Sequence, residues 1–181
     1  MKTSIVRSKW FIVSAAVALG VLTDATASAQ SQAGKLRVGV YDSRAIAIAY
    51  ANSTEFRESL KPVQAEYAQA RKDKDDKRLK EIDARMKLQQ RRAHEQGFST
   101  GSVAGIVAKV KDALPGVAKQ AGVEVIVSKW ELNHQSPGVE LVDVTDELVA
   151  LFHPSAKVLG WVKDLKSRPP LPLEKITDDM D

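Results

Sequence analysis

From Arg71 to Arg78 the chain reads Arg-Lys-Asp-Lys-Asp-Asp-Lys-Arg, eight residues without an apolar side chain. On both sides apolar residues return at helical spacing. Phe56, Leu60, Val63, Tyr67 and Ala70 stand four, three, four and three apart, the repeat of a coiled-coil seam. Leu79, Ile82 and Met86 continue it more weakly, followed by Gln89 and Ala93. One helix through both runs would carry Lys74 and Lys77 in its own seam. The pattern therefore predicts a reversal near Asp73–Asp76 and two antiparallel helices, a helical hairpin over 54–96. One continuous charged helix is the rival. Each arm would have about 20 residues and reach roughly 30 Å at 1.5 Å per residue. Pro62 lies inside the first arm, where its missing N–H removes a hydrogen bond, and the arm is expected to bend or restart there.

The flanking segments predict a small body over 30–53 and 97–167. Leu36, Val38 and Val40 alternate with Arg37, Gly39 and Tyr41, the period of a strand with one buried face. Asp42 or Ser43 then caps an alanine–isoleucine helix over 44–51. Gly97 reads as the left-handed cap of the second arm. A third helical stretch, 103–120, bends at Pro115 and closes at Ala121-Gly122. Two further strands, 123–130 and 139–144, flank a turn-rich segment and read as a β-hairpin. Thr145 caps a short helix over 146–152, and Ser155 caps a last one from Ala156 to Lys166. Arg168-Pro-Pro-Leu-Pro-Leu173 is expected to be extended, with a frayed acidic tail to Asp181. The fold class expected is α+β: a small strand-rich body from which an antiparallel coiled-coil hairpin protrudes.

The N-terminus points to export. Lys2, Arg7 and Lys9 precede an apolar run from Trp10 to Leu22, and Ala27-Ser28-Ala29 follows as a small-x-small cleavage site. These are the three parts of a secretory signal peptide, here 1–29. The apolar run is about 13 residues, short of the roughly 20 that a spanning helix needs. The chain has no cysteine, which excludes disulfides, thiol catalysis and a lipid-anchoring cysteine. After cleavage the net charge falls from +4 to +2.

Charge is concentrated where the chain reverses. Ten basic and five acidic residues lie between Arg71 and Arg92, a local net of +5. Arg71, Lys72, Lys74, Lys77, Arg78, Lys80, Arg85 and Lys87 make this tip a candidate surface for acidic unfolded chains, anionic lipid or lipopolysaccharide. An ordinary solvated helix surface laced with ion pairs is the alternative. Nucleic acid is not expected, because no aromatic residue interleaves the cations and an exported protein rarely meets it. His94, His134 and His153 lack metal-ligand spacing, and no phosphate loop or nucleophile elbow is present. Asp143 and Asp146, either side of Thr145, read as cap residues. Trp130 either binds a ligand or packs under the turn that follows it. The Pro-rich tail, 168–181, either offers itself to a partner or folds back over the body. Neither an enzyme nor a cofactor is expected.

The exported N-terminus, Leu36-Arg-Val-Gly-Val-Tyr-Asp42 leading into a helix, Gly122-Val-Glu-Val-Ile-Val-Ser128 and Val142-Asp-Val-Thr-Asp-Glu-Leu148 together resemble the Skp/OmpH-like family of periplasmic chaperones. The resemblance spans roughly 35–152 and implies a homotrimer whose helical hairpins surround unfolded outer-membrane proteins. The expected hairpin is shorter than the family's, and Trp130, Pro62 and the Pro-rich extension lie outside its pattern. The resulting expectation is an ATP-independent periplasmic holdase, with an envelope-tethering protein on the same scaffold as the alternative.

Overall fold

The alternating segment after Lys35 forms β1 (Arg37–Tyr41), the middle strand of the sheet. The computed structural model describes residues 35–177. The expected signal peptide and the last four residues lie outside them. β2 (Val125–Ser128) and β3 (Glu140–Asp143) flank β1 in the order β2-β1-β3. Both run parallel to it, with Val38 opposite Val125 and Leu141, and Val40 opposite Val127 and Asp143. The expected β-hairpin of β2 with β3 is therefore overturned. The segment between them is long enough to carry the chain over β1 and start again at the same end, as parallel pairing requires. Gly39 permits a close approach at the sheet centre. A Cβ there would stand 3.1 Å from Val123 and 3.2 Å from Val144 side chains.

α1 (Ser43–Ala51) leaves β1 directly, and Asp42 caps it by accepting the Arg44 N–H at 3.0 Å. Its alanines and isoleucines are apolar all round, the pattern of a helix enclosed by protein. Ala45, Ile46 and Ala49 are fully buried. α2 (Thr54–Asp73) and α3 (Asp76–Phe98) follow, and both touch α1. Then come α4 (Ala104–Val107), a 3-10 stretch (Ala108–Ala113) and α5 (Leu114–Ala121). α6 (Thr145–Ala150) and α7 (Ala156–Lys166) complete the packing around α1. Val103, Ile106, Val117, Leu148, Val149 and Phe152 share one core with it.

The expected fold class is corrected on both counts. The body is not strand-rich: its three strands have five, four and four residues, and helices supply most of the core. Nor is there an antiparallel coiled-coil hairpin. α2 stops at Asp73, Lys74 takes a left-handed conformation (φ 57°), and Asp75 caps α3 by accepting the Arg78 N–H at 2.9 Å. Of the expected seam, only Ile82 is buried, together with Ala70. Leu60, Val63, Leu79 and Met86 are half-buried, and Tyr67 is 38% exposed. Phe56 leaves the seam altogether and packs edge-on against Tyr50 of α1, ring centroids 5.4 Å apart. The remaining contact is polar: Glu66 of α2 pairs with Arg78 and Arg85 of α3. A stripe this thin, broken by a carboxylate and two guanidinium groups, does not interdigitate as knobs into holes.

Smaller corrections follow from local geometry. Gly97 lies inside α3, which ends at Ser99 with its N–H on the Glu95 carbonyl. The third helical stretch breaks at Val110 (φ −112°, ψ 17°), before Pro115, which sits in the first turn of α5 where its missing N–H costs nothing. Gly122 closes α5 at φ 63°, as its position after Ala121 suggests. Thr145 does not cap α6; its hydroxyl accepts the Asp42 N–H at 3.0 Å, while Asp143 Oδ1 accepts the Thr145 N–H at 2.9 Å. Ser155 caps α7 by accepting the Val158 N–H. The Pro-rich segment is extended and folds back over the protein, and Ile176 is buried beyond it, so the tail is ordered further than expected.

Candidate functional site

The long helices place two surfaces of different character. At the end where α2 gives way to α3, the cations are only partly neutralised. Arg78 pairs with Glu66 and Glu81, and Arg85 with Glu66. Hydrogen bonding from Arg85, with Arg78 close by, holds the Glu66 carboxyl below its ordinary range despite some desolvation. Arg71, Lys72, Lys74, Lys77, Lys80 and Lys87 are exposed and form no ion pair among the described residues. Of the eight cations read as a binding surface, six thus stay available and two are spent on joining the helices.

The second surface lies at the other end of the same helices. A cleft of about 630 Å³ opens between α1, α2, α3 and α4. Ile48, Tyr50, Phe56, Leu88, Phe98 and Ile106 contribute its apolar lining, and Arg85, Arg92 and Lys109 its cations. Leu88 is 64% exposed and Phe98 38%. His94 lies beside Phe98 with ring centroids 5.6 Å apart. Lys109 reaches Glu55 at 3.2 Å and covers the Tyr50 ring at 5.4 Å; its hydrogen bond to Glu55 raises its pKa. Sequence reasoning missed this cleft. Leu88 is a lone apolar residue among glutamines and arginines, off the 3–4 repeat. Phe98 follows the glycine that read as the cap of the second arm. Only the docking of α3 onto α1 brings them together.

A third cluster gathers where the parallel strands end. Asp42 follows β1, Lys129 and Trp130 follow β2, and Asp143 ends β3. Arg44 Nη2 meets Asp42 Oδ2 at 2.8 Å with both side chains 1% exposed, and Lys129 Nζ reaches the same oxygen at 2.8 Å. The Trp130 ring lies 5.2 Å from the Arg44 guanidinium and 4.5 Å from Lys129 Nζ. Trp130 thus packs on a buried charge network that its place in the sequence did not suggest. Lys166 bridges Asp143 at 3.3 Å and Asp146 at 3.1 Å, which occupies the carboxylate pair read as cap residues. Burial pushes the Asp143 carboxyl up, but hydrogen bonds from Thr145 and Lys166 win and hold it lowered. The charged groups satisfy one another and act as a clasp joining the three strands to α1 and α7, while the buried Trp130 Nε1 has no hydrogen-bond partner among the described residues.

Of the three histidines, His94 is at the cleft, while His134 lies in the β2–β3 connection and His153 between α6 and α7. Among the described residues, no group of three or more histidine, aspartate or glutamate side chains is placed to hold a metal ion. No described helix is long and apolar enough to cross a membrane. Compared with protein-family models, curated proteins and solved structures, the chain has no match. The functional argument therefore rests on the surfaces alone. Both long-helix surfaces can bind by burial and charge.

Proposed function

We propose that this chain is an exported, ATP-independent holdase for unfolded envelope proteins. The observation that carries the reading is an open apolar cleft lined by the same two long helices that carry exposed cations toward their junction. An unfolded outer-membrane strand alternates apolar side chains with polar ones. The cleft accepts the apolar residues, and exposed Arg92 at its rim, with the exposed cations toward the α2–α3 junction, attracts acidic neighbours over a Debye length of about 8–10 Å. Such contacts are individually weak, which suits a protein that must release its client. The apparent leader segment supports an envelope location, and the resemblance of the strand segments supports the chaperone class.

A homotrimer belongs to the same proposal. β2 and β3 each have β1 as their only strand neighbour among the described residues, so both outer edges are open to another chain. Val125 on one edge strand is 50% exposed and Leu141 on the other 36%.

The test is aggregation of a denatured outer-membrane barrel diluted into buffer and followed by light scattering. Residues 30–181 at several-fold excess should suppress the signal, and Leu88→Asp should weaken suppression while leaving the circular dichroism spectrum unchanged. Unchanged scattering with folded protein rules the reading out. Co-sedimentation with anionic vesicles runs alongside. Tight, salt-sensitive binding without suppression would identify a tethering protein acting through the free cations between Arg71 and Lys87.

A further inference from the structure

The C-terminal segment makes contacts that neither the core nor the cleft requires. After α7 ends at Lys166, Arg168-Pro-Pro-Leu-Pro172 crosses to the end of α3. Pro172 has φ −56° and ψ 140°, the polyproline conformation, which prolines adopt with little entropy left to lose. There Leu171 makes two hydrogen bonds. Its N–H donates to the Phe98 carbonyl at 2.8 Å, and its carbonyl accepts from the Ser99 hydroxyl at 2.6 Å. Ser99 is 1% exposed and Ile176 beyond it 4%. A 3-10 turn, Leu173–Lys175, delivers Ile176 to its buried position.

The anchoring point is a wall of the cleft. Gln96, Gly97 and Phe98 line it from the last turn of α3. That turn is closed weakly on its own side: Ser99 and Gly101 both donate to the single Glu95 carbonyl, at 3.2 and 3.0 Å. Gly101 folds so tightly there that an added Cβ would stand 2.8 Å from the Glu95 backbone. A paired main chain from residue 171 supplies what the turn lacks.

We propose that residues 168–176 are a strap that fixes the Phe98 wall, and that release of this strap widens the cleft. The strap lies outside the cleft lining, so it acts on the position of the wall and does not fill the site. The proposal rests on the holdase reading only for its purpose; the mechanical link stands on the contacts alone.

Hydrogen exchange and dye binding on residues 30–181 test it. Three variants are compared: Leu171→Pro, which removes the N–H in a segment already polyproline-like; Ser99→Ala, which removes the hydroxyl; and truncation after Ser167. Exchange at the Ser99 and Gly101 amides should rise about tenfold in each, the effect of losing one or two hydrogen bonds of ordinary net strength. Amides of β1 and α1 should keep their protection. Binding of an apolar fluorescent dye should rise several-fold, and adding Leu88→Asp should cancel that rise. Unchanged exchange at residues 99 and 101 in the two point variants overturns the strap, whatever becomes of the truncated chain. Faster exchange without added dye binding overturns the link to the cleft. Neither readout uses a client protein, so a failed holdase assay leaves this result separate.

Discussion

Asp42 carries three duties through one carboxylate. It caps α1, pairs with Arg44 where both side chains are buried, and accepts Lys129, which is 34% exposed. Burial by itself would raise its pKa, but hydrogen bonds from Arg44 and Lys129 and their charges outweigh it and hold the group at about 2. The folded chain therefore binds this proton less tightly than the unfolded chain, whose aspartates titrate near roughly 3.9. The stabilisation is complete above that value and drains away as pH falls toward about 2. Urea midpoints measured from pH 5 down to pH 2 should fall across this window. Asp42→Asn should flatten the fall, and at neutral pH it should cost about 3–5 kcal/mol, because Arg44 is left buried without its partner. A neutral-pH loss under about 1 kcal/mol would mean that Arg44 finds solvent or another acceptor.

At the scale of elements, the break between α2 and α3 is held by Lys74 at φ 57°, a conformation that a Cβ disfavours by about 1–2 kcal/mol. Lys74→Gly should raise stability by about 1 kcal/mol, read as a higher thermal midpoint, because glycine enters this region freely. The gain should appear despite the added flexibility of glycine in the unfolded chain. A lower midpoint would show that the Lys74 side chain contributes more than its backbone costs. Within α2, Pro62 stands in an unbroken helix, Thr54–Asp73. The expected restart there does not occur, since α2 is held at one end by α1 and at the other by Glu66 pairing with α3.

For the whole molecule, the open edges of β2 and β3 dictate the prediction. If assembly runs through them, sedimentation of residues 30–181 should give a trimer mass. The double substitution Val125→Lys with Leu141→Lys should lower it to a monomer with an unchanged helical signal. Lysines on edge strands oppose pairing with another chain through charge and through solvation of the strand. A monomer mass for the unmodified chain would remove the trimer from the proposal and leave the cleft of a single chain to act alone.

Local rules were read correctly at several ends of elements, though not at Gly97, Pro115 or Thr145. The existence of β1, the start of α7 at Ser155, the close of α5 at Gly122 and the helix break in the charge run all follow from side chains within a few residues, whereas the single buried face expected of β1 does not, since Gly39 and Tyr41 are buried and Leu36 is 42% exposed. The cationic surface was legible for the same reason, because unpaired lysines need no partner to stay in water. What required the tertiary structure was every choice between distant partners. β2 and β3 have the pattern of strands either way, and only the assembled sheet shows that each pairs parallel with β1 and not with the other. Phe56 fits a seam by spacing, yet Tyr50 of α1 takes it. Leu88 and Phe98 carry no pattern, and they form a cleft because α3 packs on α1. Periodicity records which face of an element is apolar; which other element covers that face is decided by the free energy of the assembled core.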